Sequence, residues 1–377
     1  MQSKTLMALT TSALALPGVT ALTIAKADTP PANRVLSYRA SSYQEDGLDN
    51  DFLLIGSADR YDIKIHQLRF AAPVGDRSSF SLESSYESMS GSSPWYTVAS
   101  VNGDTQVAMS GASIYEKRRD VTAAARRYFD NGNLGLSFTV SNENDYRSNS
   151  TAIDGSYTLA NNATTISAGL AYSDDEINPT DADRFNRIRS ADKTNASAFI
   201  SLTQILNQFS IVQSGISTAR SAGYLSDPYK LADRRPAERN QFTWMTSWRR
   251  YFRDQQAALH ADYRFYDDDY GIRSHTIEFS WHKTFKRQIS LVPNIRYYRQ
   301  TSADFFTSTT DFAQQFELNS SDYRLSQYDA LSAGLRINVE VGDYTFIVSG
   351  ERYAASGSQS PALIDFTRVS AGIDYRF

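Results

Sequence analysis

The stretch RVSAGIDYRF, residues 368–377, decides the fold because apolar and polar side chains alternate along its whole length. Successive side chains of a β-strand point to opposite faces, and a barrel wall between lipid and water needs one apolar and one polar face. The stretch is therefore predicted to be a membrane-spanning strand. The apolar face comprises Val369, Ala371, Ile373, Tyr375 and Phe377.

The aromatic residue Phe377 is the second sign of a membrane barrel. An aromatic end after alternating apolar residues resembles the signal that outer-membrane barrels present to their insertion machinery. The edge strand of a soluble sheet can show the same alternation by chance, but Phe377 makes that reading less attractive. We therefore expect the barrel-insertion machinery to be a partner of the chain through Phe377.

The same alternation recurs along the chain, for example in residues 259–266, 275–282 and 289–298. Seven connections between such segments are short, and several of these are Asn, Asp or Gly turns of the hairpin kind; the other eight connections are longer. The pattern predicts an all-β, transmembrane, antiparallel up-and-down β-barrel of about 16 strands, with short periplasmic turns and long extracellular loops, in the bacterial outer membrane. The predicted strands are residues 34–43, 61–72, 78–89, 119–129, 134–142, 150–160, 164–173, 194–205, 209–219, 240–252, 256–266, 272–283, 288–301, 323–340, 344–353 and 364–377.

The first 27 residues have the character of an export signal. Lys4 supplies a positive start, residues 6–24 are mostly apolar or small, and Ala25-Lys26-Ala27 gives a small-x-small cleavage pattern. We predict a signal peptide at residues 1–27 and a barrel domain at residues 28–377. No later run of 18 apolar residues predicts a membrane-spanning helix.

Composition excludes several classes of function. The chain is 41% hydrophobic and 12% aromatic, which argues against disorder. It contains no Cys, so disulfides, thiolate catalysis and Cys-based metal sites are excluded. Its net charge of −4 makes it a poor ligand for nucleic acid, and no nucleic-acid partner is predicted.

Seven polar residues of the second half are predicted to face the lumen. Charges of both signs on neighbouring lumen walls would pair and order the interior, or they would bind a charged solute. Catalysis from His260 and Asp262 with a nearby serine lacks any nucleophile motif, so no catalytic residue is predicted. The four His have no metal-ligand spacing, and neither a metal nor a cofactor is predicted. The lumen candidates are His260, Asp262, Arg264, Glu278, His282, Arg296 and Arg336.

The connection at residues 90–118 is a candidate plug. It begins and ends near two copies of a Met-Ser-Gly phrase and carries large apolar side chains, so it is too apolar to float in water. It could fold into the lumen as a plug or dock a partner; a copper site is less favoured, because two thioethers are a weak ligand set. The candidate residues are Met89, Trp95, Tyr96, Met109 and Tyr115.

Two other loops, residues 173–193 and 220–239, are rich in charges of both signs. Loops of this kind hold divalent cations and the lipopolysaccharide of the outer leaflet, or stay hydrated. The lipid bilayer and lipopolysaccharide are accordingly predicted partners. The tract Arg234-Arg235-Pro236 is expected to be a solvated turn.

Six phrases in order resemble domain-of-unknown-function family 3570, a group of exported barrel proteins, and they span almost the whole chain after residue 27. The resemblance implies an outer-membrane setting, and members tend to be encoded beside a small lipoprotein, a thioredoxin-like protein and a flavin-attaching transferase. It brings no catalytic residues. The phrases are residues 89–96, 109–121, 224–230, 263–279, 293–306 and 323–335.

Three functions remain open from the sequence. The leading hypothesis is a non-enzymatic barrel that passes or holds a solute. The alternative, suggested by the resemblance, is a scaffold for a complex with a small lipoprotein and a flavin- or thioredoxin-type redox module. The third is an outer-membrane hydrolase that uses His and Asp at the rim of the lumen.

Overall fold

A computed structural model describes residues 29–110, 114–286, 288–312 and 317–377. The predicted signal peptide at residues 1–27 lies outside the described residues. Within them, short 3-10 turns at Asn50–Phe52 and Tyr323–Leu325 accompany the strands. The strands are β1 (Val35–Glu45), β2 (Leu53–Ile55), β3 (Asp62–Pro73), β4 (Ser78–Gly91), β5 (Pro94–Ala99), β6 (Thr105–Met109), β7 (Ile114–Phe129), β8 (Gly132–Asn142), β9 (Tyr146–Thr158), β10 (Thr164–Ile177), β11 (Ala191–Asn207), β12 (Ser210–Gly223), β13 (Glu238–Phe252), β14 (Ala257–Asp268), β15 (Arg273–Phe285), β16 (Ile289–Gln300), β17 (Tyr328–Val341), β18 (Tyr344–Ser356) and β19 (Phe366–Arg376).

Sixteen of these strands close into one antiparallel barrel, each paired with its neighbours in chain order. β1 closes the ring by pairing with both β3 and β19. Just beyond that pair, the backbones of Arg34 and Phe377 exchange two hydrogen bonds of 3.0 Å. The predicted sixteen-stranded barrel is confirmed, while the role of Phe377 in insertion stays a prediction.

The two faces of the wall differ as a barrel in lipid requires. On β17, Leu331 and Leu335 are 50% and 44% exposed, whereas Ser332 is 2% exposed. The outer face is the one that carries the exposed apolar side chains, and the inner face is the opposite one. The apolar side chains of the outer face can therefore contact lipid, because their transfer from water into the bilayer carries no polar group with it.

No helix among the residues that the structure describes is long and apolar enough to cross a membrane.

The barrel has two unlike ends. The turn end carries the chain termini of the barrel and the connections 74–77, 130–131, 159–163, 208–209, 253–256, 286–288 and 342–343. The loop end carries the other eight connections, of which 143–145 and 269–272 are as short as the turns. The assignment of the loop end to the cell exterior stays a prediction.

The strand boundaries depart from the predicted ones mainly at the loop end. β7 begins at Ile114 rather than residue 119, and β10 continues to Ile177 rather than residue 173. These extensions keep their ladder pairing, β7 with β4 and β10 with β11, so polar residues beyond the apolar belt still form strands. By contrast, one strand is shorter than predicted. The strand predicted from residue 323 starts only at Tyr328, because residues Tyr323–Leu325 form a 3-10 turn capped by Asp322.

Candidate functional site

The seven lumen candidates lie on one face of neighbouring strands. Asp262 on β14 stands opposite Glu278 on β15, and Glu278 stands opposite Arg296 on β16. Arg336 on β17 stands opposite Val292, on the same face of β16 as Arg296. All seven are therefore on the inner face, and their role in binding a solute stays a prediction.

His260 and His282 form the centre of this inner wall. Their imidazole rings stack with centroids 3.8 Å apart. The Oγ of Ser280 lies 3.0 Å from Nε2 of His282. Asp262 is held elsewhere, because it accepts hydrogen bonds of 2.5 Å from Ser247 and 2.7 Å from Arg249. The Ser280–His282 pair therefore has no hydrogen bond to Asp262 of the kind a catalytic triad uses.

Three arginines extend the inner wall along β14, β16 and β17. Arg264 has a buried Nε atom with no hydrogen-bond partner among the described residues. Arg296 and Arg336 are exposed on the inner face, and neither lies within ion-pair distance of a described carboxylate. A guanidinium group that lacks a protein partner can donate hydrogen bonds to an anionic ligand.

Arg336 also lines a cavity of about 350 Å³ near the turn end of the barrel. Arg39 and Arg376 contribute further positive charge to its wall, and Glu340 and Asp374 contribute negative charge. The inner wall is thus polar from its middle to the turn end.

A carboxylate cluster lies at the loop end of the opposite wall. Glu116, Glu143 and Asp145 bring one oxygen each within 4.8 Å of one another. Such oxygens suit a hard cation such as Ca²⁺, so these residues are the described set best able to hold a metal. Arg118, within 4.0 Å of Glu143, already supplies positive charge beside the cluster.

The connection predicted as a plug contains regular structure. β5 and β6 form a hairpin, and β6 also pairs with β2 from the first loop, which gives a three-stranded sheet. Thr97 on β5 donates its backbone N–H to Oγ1 of Thr310 at 3.0 Å, and Lys230 donates to the carbonyl of Pro94 at 2.9 Å. Thr310 and Lys230 follow β16 and β12, nearly across the ring from β4, so the sheet reaches across the loop end.

An apolar core holds this sheet to the other loops. Val107 and Met109 on β6 are 0% and 1% exposed. They pack with Leu48 from the first loop and Tyr323 from the connection after β16, and the last loop completes the core with Ala362 and Ile364. We call the sheet, this core and the loops 224–237 and 301–327 the cap.

A buried charge cluster joins two loops of the cap. Asp322 is 0% exposed and accepts hydrogen bonds from Arg235 at 2.8 Å and from Nε of Arg324 at 2.8 Å. Arg235 also pairs with Asp233 at 2.9 Å, and Arg324 reaches Asp227 at 3.2 Å. Buried charges persist only when they are paired and hydrogen-bonded, and these are.

The electrostatics of the cluster favour its ionised form at Asp322. Burial alone would raise the pKa of Asp322, but the charges of Arg324, Lys230 and Arg235 outweigh it and hold that pKa well below its usual range. Burial raises the pKa of Asp227, with Arg324 opposing the shift. Burial likewise raises the pKa of Tyr323 to about 12. Asp322 is therefore the anionic centre of the cap.

The structure distributes the five plug candidates over three places: the sheet and core of the cap, the inner face of β4, and β7. Trp95 and Tyr96 belong to β5, where they contact Phe185 and Phe312 at centroid distances of 6.4 and 5.5 Å. Met89 lies on the inner face of β4 with Tyr61 and Ile63, while Met109 belongs to the cap core, so the two thioethers are in different clusters. The structure describes the backbone of Tyr115, which belongs to β7, but not its side chain.

Sequence reasoning missed the charge cluster of the cap. The expectation that Arg235 lies in a solvated turn is wrong, because Arg235 is 9% exposed and paired with Asp233 and Asp322. A signal was present, since Asp227 and Lys230 lie in the phrase 224–230 that carries the family resemblance. The sequence of a charged loop does not reveal which distant loop supplies the partners of its charges.

Comparison with known proteins places the chain among barrel proteins. A family model described as "Protein of unknown function (DUF3570)" matches residues 6–363. None of the curated proteins compared with the chain is significantly similar to it in sequence.

Solved structures share the fold at low sequence identity. The chain is similar to a bacterial polysaccharide outer membrane secretin, with a TM-score of 0.51, 10% identity and coverage of 91% of this chain and 98% of that one. It is similar to CdiB from Acinetobacter baumannii, with a TM-score of 0.52, 9% identity and 90% of this chain covered. The siderophore receptor PirA from Pseudomonas aeruginosa matches with a TM-score of 0.45, 10% identity and 85% of this chain covered. The chain spans 60% of the length of CdiB and 56% of the length of PirA.

Proposed function

Since the chain belongs to the family described as "Protein of unknown function (DUF3570)" and is a β-barrel of the bacterial outer membrane, we propose that it is a gated channel for small solutes that carry an anionic group. The single observation that carries this proposal is the inner wall of β14 to β17, where Arg264, Arg296 and Arg336 lack ion pairs with described carboxylates. A barrel of sixteen strands is wide enough to enclose an aqueous path when loops do not fill it.

The preference for anions follows from the charges on this wall. Arg249 neutralises Asp262 at 2.7 Å, and Arg376 lies 4.0 Å from Glu340. Glu278 is then the remaining carboxylate of this inner wall, and the three unpaired guanidinium groups outweigh it. Guanidinium groups bind carboxylate and phosphate through two parallel hydrogen bonds, so solutes with these groups suit the wall.

Gating follows from the cap. Loops from nearly opposite sides of the ring meet through Thr97 and Thr310, and through Pro94 and Lys230. In the proposal, the cap is the closed state at the loop end, and a solute enters when the loops separate. Loops that move while a rigid barrel stays fixed are a common way to control access to a site.

Planar-bilayer recording of the purified protein tests the channel. Wild-type protein is expected to show rare openings, and a variant with a loosened cap, Asp322→Asn, is expected to conduct steadily. In a salt gradient the reversal potential should report a preference for anions. A silent bilayer with both proteins at every voltage would reject the channel.

Charge substitutions test the selective wall. In the Asp322→Asn background, Arg296→Gln with Arg336→Gln should move the reversal potential toward zero. The matched control removes two outer-face arginines, Arg220→Gln with Arg299→Gln, whose partners Glu238 and Asp329 lie 2.7 Å and 3.7 Å away. The proposed selectivity is wrong if the control shifts the potential as much as the inner-wall variant does.

A further inference from the structure

The outer face of β3, β4 and β7 carries an unusual polar patch near the loop end. Lys64 on β3 stands opposite Ser88 on β4, and Ser88 stands opposite Lys117 on β7. One row closer to the turn end, His66, Tyr86 and Arg119 form the same kind of line. We call these six residues the basic patch.

Several other outward arginines near the loop end are ion-paired: Arg220 with Glu238 at 2.7 Å, Arg273 with Asp267 at 2.8 Å and Arg299 with Asp329 at 3.7 Å. Such pairs cancel their charge within the protein. Arg147 on the outer face of β9 forms no ion pair with a described carboxylate, but it stands opposite Glu176 on β10.

In the basic patch, by contrast, no carboxylate among the described residues lies within ion-pair distance of Lys64 or Arg119. Arg119 instead lies over the ring of Tyr86, 5.7 Å from its centroid. Asp62 occupies the next row toward the loops on β3 and is half-buried. Lys64 and Arg119 thus keep positive charge that a ligand outside the chain can use.

The patch begins where the apolar belt ends. In the next row toward the turn end, the outer face carries Leu68, Ser84 and Val121, and Leu82 follows one row further; the three apolar side chains are exposed as lipid-facing residues are. A strand that rises about 3.4 Å per residue and tilts by about 40° places Lys64 about 21 Å above Ala72 along the barrel axis. That height is comparable to the roughly 25 Å of a bilayer's apolar band, and the change from exposed apolar to basic side chains places Lys64 at the loop-end edge of that band.

The spacing and chemistry of the patch suit phosphate. Neighbouring strands lie about 4.8 Å apart, so Lys64 and Lys117, two strands apart, are separated by about 10 Å with Ser88 between them. Ammonium and guanidinium groups supply charge, and the hydroxyl of Ser88 supplies a further hydrogen-bond donor. Long basic side chains can also extend along apolar surface to place their charge at the headgroups.

We propose that the basic patch is a binding site for the phosphate groups of the outer-leaflet glycolipid, the lipid A part of lipopolysaccharide. The loop end then faces the cell exterior, and the barrel carries at least one bound glycolipid on the side of β3, β4 and β7. The proposal concerns the outer face and does not depend on conduction through the lumen.

Binding of lipid A to the purified full-length protein in detergent tests the site, with native mass spectrometry as the readout. The variant Lys64→Gln with Arg119→Gln should weaken binding of bis-phosphorylated lipid A by roughly ten- to thirtyfold, since each basic residue near an anionic surface contributes about 1 kcal/mol. The control Arg220→Gln with Arg299→Gln removes the same charge from paired rim arginines and should change binding less than about twofold.

Two further arms decide between sources of phosphate. Dephosphorylated lipid A should bind wild type and variant alike, and phosphatidylglycerol should bind more weakly than lipid A. The proposal is overturned if both double variants lose binding equally, if neither does, or if phosphatidylglycerol is preferred. The single variants Lys64→Gln and Arg119→Gln give the same comparison if the double variant does not fold, which gel migration with and without heating reveals.

Discussion

Arg235 donates a hydrogen bond of 2.8 Å to Asp322, although the two residues are 87 positions apart in the chain. The bond joins the loop after β12 to the loop after β16, and both side chains are almost completely buried. Because the loops leave the barrel at separate places on its rim, this contact exists only when the cap is assembled.

Asp322→Asn should therefore open the cap and leave the barrel intact. Removal of one partner from a buried charge network costs about 3 to 5 kcal/mol, because the remaining charges stay buried without compensation. Limited proteolysis of loops 224–237 and 301–327 should become much faster, while gel migration of the unheated barrel stays unchanged. The matched control is Asp183→Asn, whose partner Arg189 lies 3.0 Å away in an exposed pair worth about 0 to 1 kcal/mol. Equal protease resistance of the two variants would contradict this role for Asp322.

Mild acid should leave the cap closed. The pKa of Asp322 lies well below its usual range, so its stabilisation is present above the unfolded value of about 3.9 and is lost only as pH falls through the lower folded value. Asp227, whose pKa is raised by burial, acts in the opposite sense: its contribution is lost as pH rises through its folded pKa.

Bilayer recordings at pH 7, 5 and 3 check this expectation. Conductance at pH 5 should match that at pH 7, and opening should begin only in stronger acid. A channel that opens between pH 7 and pH 5 would show that some group other than Asp322 controls the cap.

The cap core should depend on Val107. Val107→Ala removes packing at a fully buried position of β6 and should destabilise the cap by about 2 kcal/mol. Val101→Ala makes the same chemical change at the tip of the same hairpin, where the side chain is fully exposed, and should have no effect. Proteolysis within residues 93–109 measures both. If both variants are cleaved at the wild-type rate, the buried core does not hold the sheet in place.

The two faces of the barrel wall should tolerate added bulk differently. A Cβ atom on Gly169, on the inner face of β10, would lie 2.4 Å from the ring of Phe199 on β11, whereas a Cβ on Gly350, on the outer face of β18, would meet nothing within 4 Å. Gly169→Val should destabilise the barrel by about 1 to 3 kcal/mol because the ring must move. Gly350→Val should be tolerated. The temperature at which gel migration changes on heating compares the two variants, and a lower temperature for Gly350→Val than for Gly169→Val would contradict the close packing of Gly169 against Phe199.

Much of the barrel could be predicted from the sequence for a local reason. Strand side chains alternate with period two, so residues such as Val369 and Ser370 reveal their faces without knowledge of any neighbour. The same rule assigns Asp262 and Glu278 to one face, and the register of β14 and β15 agrees. Strand ends were harder to predict, because β7 and β10 extend beyond the apolar belt, where alternation of hydrophobicity fades.

The predicted partners other than the bilayer itself stay predictions. They are the insertion machinery at Phe377, lipopolysaccharide, and a small lipoprotein or redox protein. Lipopolysaccharide now has a defined candidate site in the basic patch, whereas no contact among the described residues favours a redox module.

The sequence by itself determined that the chain forms barrel strands of alternating polarity, that there are about sixteen of them and which face of each is polar; it did not predict the loop strands β2, β5 and β6. Those properties depend on neighbours along the chain. Only the tertiary structure decided that Arg235 meets Asp322, that Thr97 meets Thr310 and that His260 stacks on His282. Such contacts depend on closure of the ring, which brings loops from distant strands to the same mouth and allows charges that would otherwise stay hydrated to be buried together.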